Sequence, residues 1–106
     1  MSWRVVVRPE AGEDVTEAAA WYDTRREGLG NEFVEEVLRT FDALAINPLI
    51  NSRRHPRKNI RWGYPDRFPY RVIYEVLEEE NTVVVAAVLH AARDNRHWRR
   101  RIKDQG

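Results

Sequence analysis

The chain changes hydrophobic period several times, and each change marks an element. Trp3 to Arg8 alternates loosely and is rich in valine. It reads as a first strand that Pro9 stops, because proline has no N–H to give to a ladder. From about Glu10 to Arg26, apolar positions recur every three and four residues, at Val15, Ala18, Ala19 and Tyr22, which predicts a helix. Glu10, Glu13 and Asp14 favour its positive N-terminal end. Trp21 and Tyr22 read as packing residues on it. Gly28-Leu29-Gly30 breaks the chain into a tight turn. A second helix follows with a wider stripe, through Phe33, Val34, Val37, Leu38, Phe41, Leu44 and Ala45, and Asn47-Pro48 ends it. Two helices joined so closely form an antiparallel hairpin.

Residues 48–59 are a charged loop with Asn, Pro and Ser, and Ile60 to Tyr64 is a short candidate strand. Tyr70 to Val76 alternates cleanly, with Tyr70, Val72, Tyr74 and Val76 on one face and Arg71, Ile73 and Glu75 on the other. Glu78 to Asn81 is a polar turn. Thr82 to His90 is apolar nearly throughout, as expected of a central strand covered on both sides. The tail from 93 to 103 is basic around Trp98 and Ile102. The predicted order is β-α-α-β-β-β with a basic C-terminal tail or short helix, in one α+β domain over residues 1–106. Short turns make the late strands antiparallel. The helical hairpin covers one face of the antiparallel sheet, and the first strand returns to pair in it. The pleat aims Arg71 at the other, partly open face.

Composition narrows the chemistry. The longest apolar stretch, Val83 to Leu89, is seven residues, where a membrane-spanning helix needs about 20. The N-terminal segment has no apolar core of a secretion signal, and there is no cysteine, so a reducing cytoplasm is the expected location. No disulfide, thiolate nucleophile or thiolate metal site is available, and no cofactor motif is present. Ser2 and Ser52 have no nucleophile elbow around them, which removes serine hydrolysis.

The net charge of +1 hides a division. Residues 1–47 hold five Arg/Lys against ten Asp/Glu, and residues 48–106 hold thirteen against seven. Between 51 and 71 there are seven basic residues and one acid, Asp66. An acidic helical half and a basic second half suit two partners, one of them polyanionic. The candidates on and around the sheet are Lys58, Arg61, Arg67, Arg71 and Arg93, with His55, His90 and His97 near them in sequence. Arginine offers planar paired donors to phosphate oxygens, and lysine a point charge. Such a set binds a nucleic-acid backbone, or stabilises a phosphate under attack by a neighbouring 2′-hydroxyl without a metal. Each arginine has a plainer alternative as a solvated surface charge; for Arg71 that alternative is a cross-strand ion pair or a pair with Asp94. His90 either caps the sheet edge or takes part in binding. Trp98 either stacks on a base or pins a C-terminal helix to the core, and Trp62 invites the same two readings.

Several segments together resemble the RelE/ParE superfamily of toxins, also called plasmid stabilisation proteins. They are Val7-Arg8-Pro9-Glu10-Ala11, Ala20-Trp21-Tyr22, Gly28-Leu29-Gly30 with Phe33, and Asn47-Pro48. Phe68-Pro69-Tyr70-Arg71-Val72-Ile73-Tyr74 and Ala87-Val88-Leu89-His90 with Arg93-Asp94 and Trp98 complete the set. The likeness runs over about residues 5–101. It implies the same element order, a toxin half of a toxin–antitoxin pair, and a cognate antitoxin as partner. RelE-like members cleave mRNA on the ribosome, and that metal-independent endonuclease activity is the first expectation. ParE-like members poison DNA gyrase without cleaving RNA, and a non-toxic antitoxin-binding or nucleic-acid-binding relative is a further alternative. By position the resemblance assigns catalytic roles to Arg71, Arg93, Lys58 and Arg61, and nucleic-acid contacts to Arg67, His90 and Trp98. Where the nuclease branch has a tyrosine past Arg93, this chain has Trp98, which carries no transferable proton.

Overall fold

The computed structural model describes residues 2–92 and 96–104. Its elements are β1 (Arg4–Val7), α1 (Pro9–Arg25), α2 (Leu29–Ile46), a 3₁₀ turn (Pro48–Ile50), β2 (Ile60–Gly63), β3 (Tyr70–Leu77), β4 (Thr82–His90) and α3 (Arg96–Asp104). Pro9 is the first residue of α1, where its missing N–H costs nothing. Gly28 sits at φ +88, a left-handed conformation that glycine adopts freely, and α2 starts directly after it. Gly30 is needed for a different reason. A Cβ there would lie 2.4 Å from the carbonyl oxygen of Ala19, so the two helices approach too closely for any side chain. Its N–H donates to Asp23 Oδ1 at 2.8 Å, which ties the start of α2 to the end of α1.

The four strands form one sheet in the order β1-β4-β3-β2. β2, β3 and β4 are antiparallel neighbours, but β1 runs parallel to β4, pairing Arg4–Val7 with Thr82–Val85. The sheet is therefore mixed. The hairpin rule that fixes the late strands does not reach β1, which joins its neighbour through the helical hairpin and two further strands. A register shift opposite Ile73 and Tyr74 places Ala86 as an extra residue in β4. The alternation of β3 is undisturbed, so Arg71, Ile73 and Glu75 keep to one face.

Each face of the sheet has its own core. On one side Val72, Tyr74, Val76, Val83, Val85 and Val88 pack under Ala11, Ala18, Phe33, Val37 and Leu44 of the hairpin. Tyr22, Phe33, Phe68 and Tyr70 form an aromatic cluster there, with ring centroids 4.9–6.1 Å apart. On the other side Ile60, Ile73, Ala86, Ala87 and Leu89 are covered by Trp98 and Ile102 of α3. The small residues at the bulge leave room for the Trp98 indole. The C-terminal segment is thus a docked helix that closes much of the face expected to be open. Trp21, read as a packing residue, is half exposed and carries the guanidinium of Arg25 4.5 Å from its ring centre. Among the described residues no helix is long and apolar enough to cross a membrane.

Candidate functional site

The rim of the second face gathers the cations. Arg71, in the middle of β3, lays its guanidinium 4.2 Å from the ring centre of Trp62 on β2, and Arg54, from the loop before β2, lies 4.5 Å from the same ring. Trp98 meets Trp62 edge to face at 5.9 Å. Two guanidiniums on one indole form a cation–π cluster that holds positive charge against an apolar surface. Among the described residues neither Arg71 nor Arg54 makes an ion pair. Lys58 is half-buried and lines a cleft with Arg54, His55, Trp98, Arg99 and Ile102.

The other sequence candidates are not brought to this rim. Arg61 faces the helical side, because it alternates with Ile60 and Trp62 along β2. Its Nε donates to Asn59 Oδ1 at 2.9 Å, and its Nη1 donates to the carbonyls of Leu49 and Asn51. That guanidinium is structural, replacing backbone partners for the loop after α2. Arg67, at φ +73, donates to Glu32 Oε1 at 2.6 Å and so closes the β2–β3 loop onto α2. Hydrogen bonds from Arg67 and then Arg26 hold the Glu32 carboxyl below the usual carboxylate range. The structure thus gives Arg61, expected as catalytic, and Arg67, expected as a nucleic-acid contact, partners within the fold on the helical side. His90 lies at the exposed end of β4, its Nδ1 accepting from the Ala92 N–H at 3.0 Å and its ring edge-on to Tyr70 at 5.3 Å. It caps the strand. Trp98 is 3% exposed and packed in the second core, so its ring pins α3 and has no free face for a base. Arg93 lies outside the described residues, as do Asp94 and the side chain of His97.

A half-buried linkage fixes α3 over the sheet. β4 runs past the end of β1, and its outer edge there is satisfied by side chains. The Val88 N–H donates to Asp14 Oδ2 at 3.0 Å. Arg101 Nη1 donates both to that oxygen, at 2.8 Å, and to the Ala86 carbonyl, at 3.0 Å. Sequence reasoning passes over this pair, and over Arg54 and Arg99, for one reason. In a chain this rich in arginine, no local pattern separates a cation with a tertiary partner from a solvated one.

Among the described residues no group of three or more His, Asp or Glu side chains is placed to hold a metal. The helical hairpin, the mixed sheet and the docked third helix make up the architecture of RelE/ParE toxins. Residues 5–95 match the family described as the ParE toxin of the type II toxin–antitoxin system, parDE. The chain belongs to that family and is a toxin of the type II class. The fold is similar to that of the chromosomal ParDE system of P. aeruginosa, at a TM-score of 0.70 and 11% identity, covering 84% of this chain and 96% of that one. It is also similar to the intact E. coli RelBE complex, at 0.64 and 19%, covering 87% and 100%. The archaeal RelE–RelB complex of Pyrococcus horikoshii OT3 gives 0.57 and 15%, covering 89% and 100%. No curated protein sequence matches the chain.

Proposed function

We propose that this chain arrests growth by binding DNA gyrase, as a ParE-type toxin without enzymatic activity, and that a cognate antitoxin neutralises it. The observation that carries the reading is the surroundings of Arg71. RNA cleavage by 2′-hydroxyl attack needs one group to take a proton and another to return one. The side chains stacked about Arg71 among the described residues are the indole of Trp62 and, beyond it, Trp98 and Arg54. None of these exchanges a proton near neutral pH. Arg61 and Arg67, two further cations of the nuclease assignment, are held by partners on the helical side. What remains is a positively charged rim around two tryptophans, which suits recognition of a surface. The match to the ParE family supports the same side of the division.

The second reading, a ribosome-dependent mRNA endonuclease, keeps Arg71 and Lys58 as phosphate-stabilising groups. Arg71 favours it to this extent: its charge is half-buried and has no carboxylate partner among the described residues. Induction in a host, followed by mapping of mRNA 5′ ends and of chromosome replication, separates the two. The expected outcome is replication arrest with mRNAs uncut inside their codons. Cuts within translated codons that vanish in Arg71→Ala would establish the nuclease instead.

A further inference from the structure

The cleft between the loop before β2 and α3 has, among the described residues that line it, charged side chains of one sign only. Its volume is about 630 Å³, within the range of pockets that take a small organic ligand. Arg54 spends one weak hydrogen bond on the Tyr64 hydroxyl, at 3.4 Å, and otherwise stacks on Trp62. Arg99 stands 5.5 Å from the Trp98 ring centre. Arg54, Lys58 and Arg99 make no ion pair among the described residues. His55 is set by its own loop. Its Nδ1 accepts the N–H groups of Arg57 at 3.1 Å and Lys58 at 3.0 Å, so the proton of the neutral ring is on Nε2 and the imidazole is a donor to anything outside the loop. Trp98 forms part of the wall and is 3% exposed, yet its Nε1–H has no acceptor among the described residues; the buried Nε1 of neighbouring Trp62 lacks one as well. A buried N–H left unpaired is costly, and such a group calls for a ligand or a bound water.

The geometry points to a phosphate-binding site in this cleft, in which Arg54, Lys58 and Arg99 supply charge, and His55 Nε2–H and the Trp98 indole supply neutral donors. Among the described residues no lining side chain is a carboxylate, so a cation finds no charged partner among them. An apolar ligand would engage none of the three charges. Guanidinium forks and an ammonium match the oxygens of a phosphate, and the volume accommodates the nucleoside that carries it. The phosphate belongs either to a free nucleotide or to a nucleic-acid backbone. The site does not depend on which macromolecule the toxin inhibits, and its test reads binding alone.

The four tryptophan indoles are read by their ¹H–¹⁵N resonances, and Trp98→Phe assigns the one that matters. Inorganic phosphate titrated into the full chain is expected to move the Trp98 indole saturably while that of Trp3 stays still. Arg99→Gln and Lys58→Gln, two variants checked for an otherwise unchanged spectrum, each weaken the apparent Kd about tenfold. Adenosine monophosphate and a ten-residue oligothymidylate then compete for the site. Tighter binding of the mononucleotide assigns a free nucleotide, and tighter binding of the oligomer assigns a nucleic-acid backbone. A Trp98 resonance that does not move, or one that drifts without saturating and does so equally in both variants, overturns the proposal.

Discussion

Tyr74 shows how one side chain serves both the core and the loop that leads to the site. It is fully buried, its hydroxyl donates to the Pro48 carbonyl at 2.7 Å, and it accepts from Asn51 Nδ2 at 3.0 Å. Replacing it with phenylalanine keeps the ring but strands both partners, at a cost of about 1–2 kcal/mol in urea unfolding. Burial also raises its phenol above the ordinary 10.0. Folding therefore favours the protonated form. That stabilisation is complete below pH 10 and is lost as pH rises through the higher folded-state value. Tyr22, raised by burial and then by Tyr70, acts in the same direction. Stability measured from pH 8 to 11.5 is expected to fall less steeply in Tyr74→Phe than in the parent; equal slopes would rule out Tyr74 as a source of the decline.

At the scale of elements, the legible parts were those with long periodic runs. The stripe from Phe33 to Ala45 and the alternation from Tyr70 to Val76 appear in the structure as α2 and β3; in α2 Phe33, Val37 and Leu44 face inward, but Leu38 of the predicted stripe is exposed and Glu36 is buried in its place. The direction of β1 and the extra residue Ala86 were not legible, and the docking of α3 was only one of two readings of Trp98. Each depends on contacts between distant segments, and Asp14 and Arg101, which settle the last, are 87 residues apart. The same limit acted on the site. Arg71 was aimed correctly by pleat alternation; the same alternation along β2 turns Arg61 to the helical face, and Arg67 differs in a partner, Glu32, that a sequence does not show. Arg101 and Asp14 are 23% and 14% exposed, so part of their attraction is screened. Arg101→Ala is expected to cost about 1–2 kcal/mol, from the hydrogen bonds left unmade at Asp14 and the Ala86 carbonyl. It should also speed hydrogen exchange along α3 well beyond its effect on α2. Uniform acceleration across both helices would mean that the pair stabilises the whole fold and does not latch α3.

Over the whole molecule the charge division seen in the sequence becomes spatial. The acidic hairpin covers one face of the sheet, while Arg54, Lys58, Arg71 and Arg99 ring the other. An antitoxin that neutralises the toxin by covering this rim needs acidic groups opposite it, and its affinity is then sensitive to ionic strength. Binding measured by calorimetry is expected to weaken by tenfold or more between 50 mM and 500 mM salt. A salt-independent Kd would place the antitoxin on apolar surface instead, such as the exposed Ile46, Ile50 and Tyr64 at the end of α2.

That rim is also the surface the account offers to the toxin's target. The purified chain, added to purified DNA gyrase and a relaxed plasmid, puts the claim to a direct test. Supercoiling is expected to stop at toxin concentrations near those of the enzyme and to be restored by charge reversal at Arg71 and Arg54. Undiminished supercoiling at large toxin excess, beside mRNA cleavage on translating ribosomes, would contradict it.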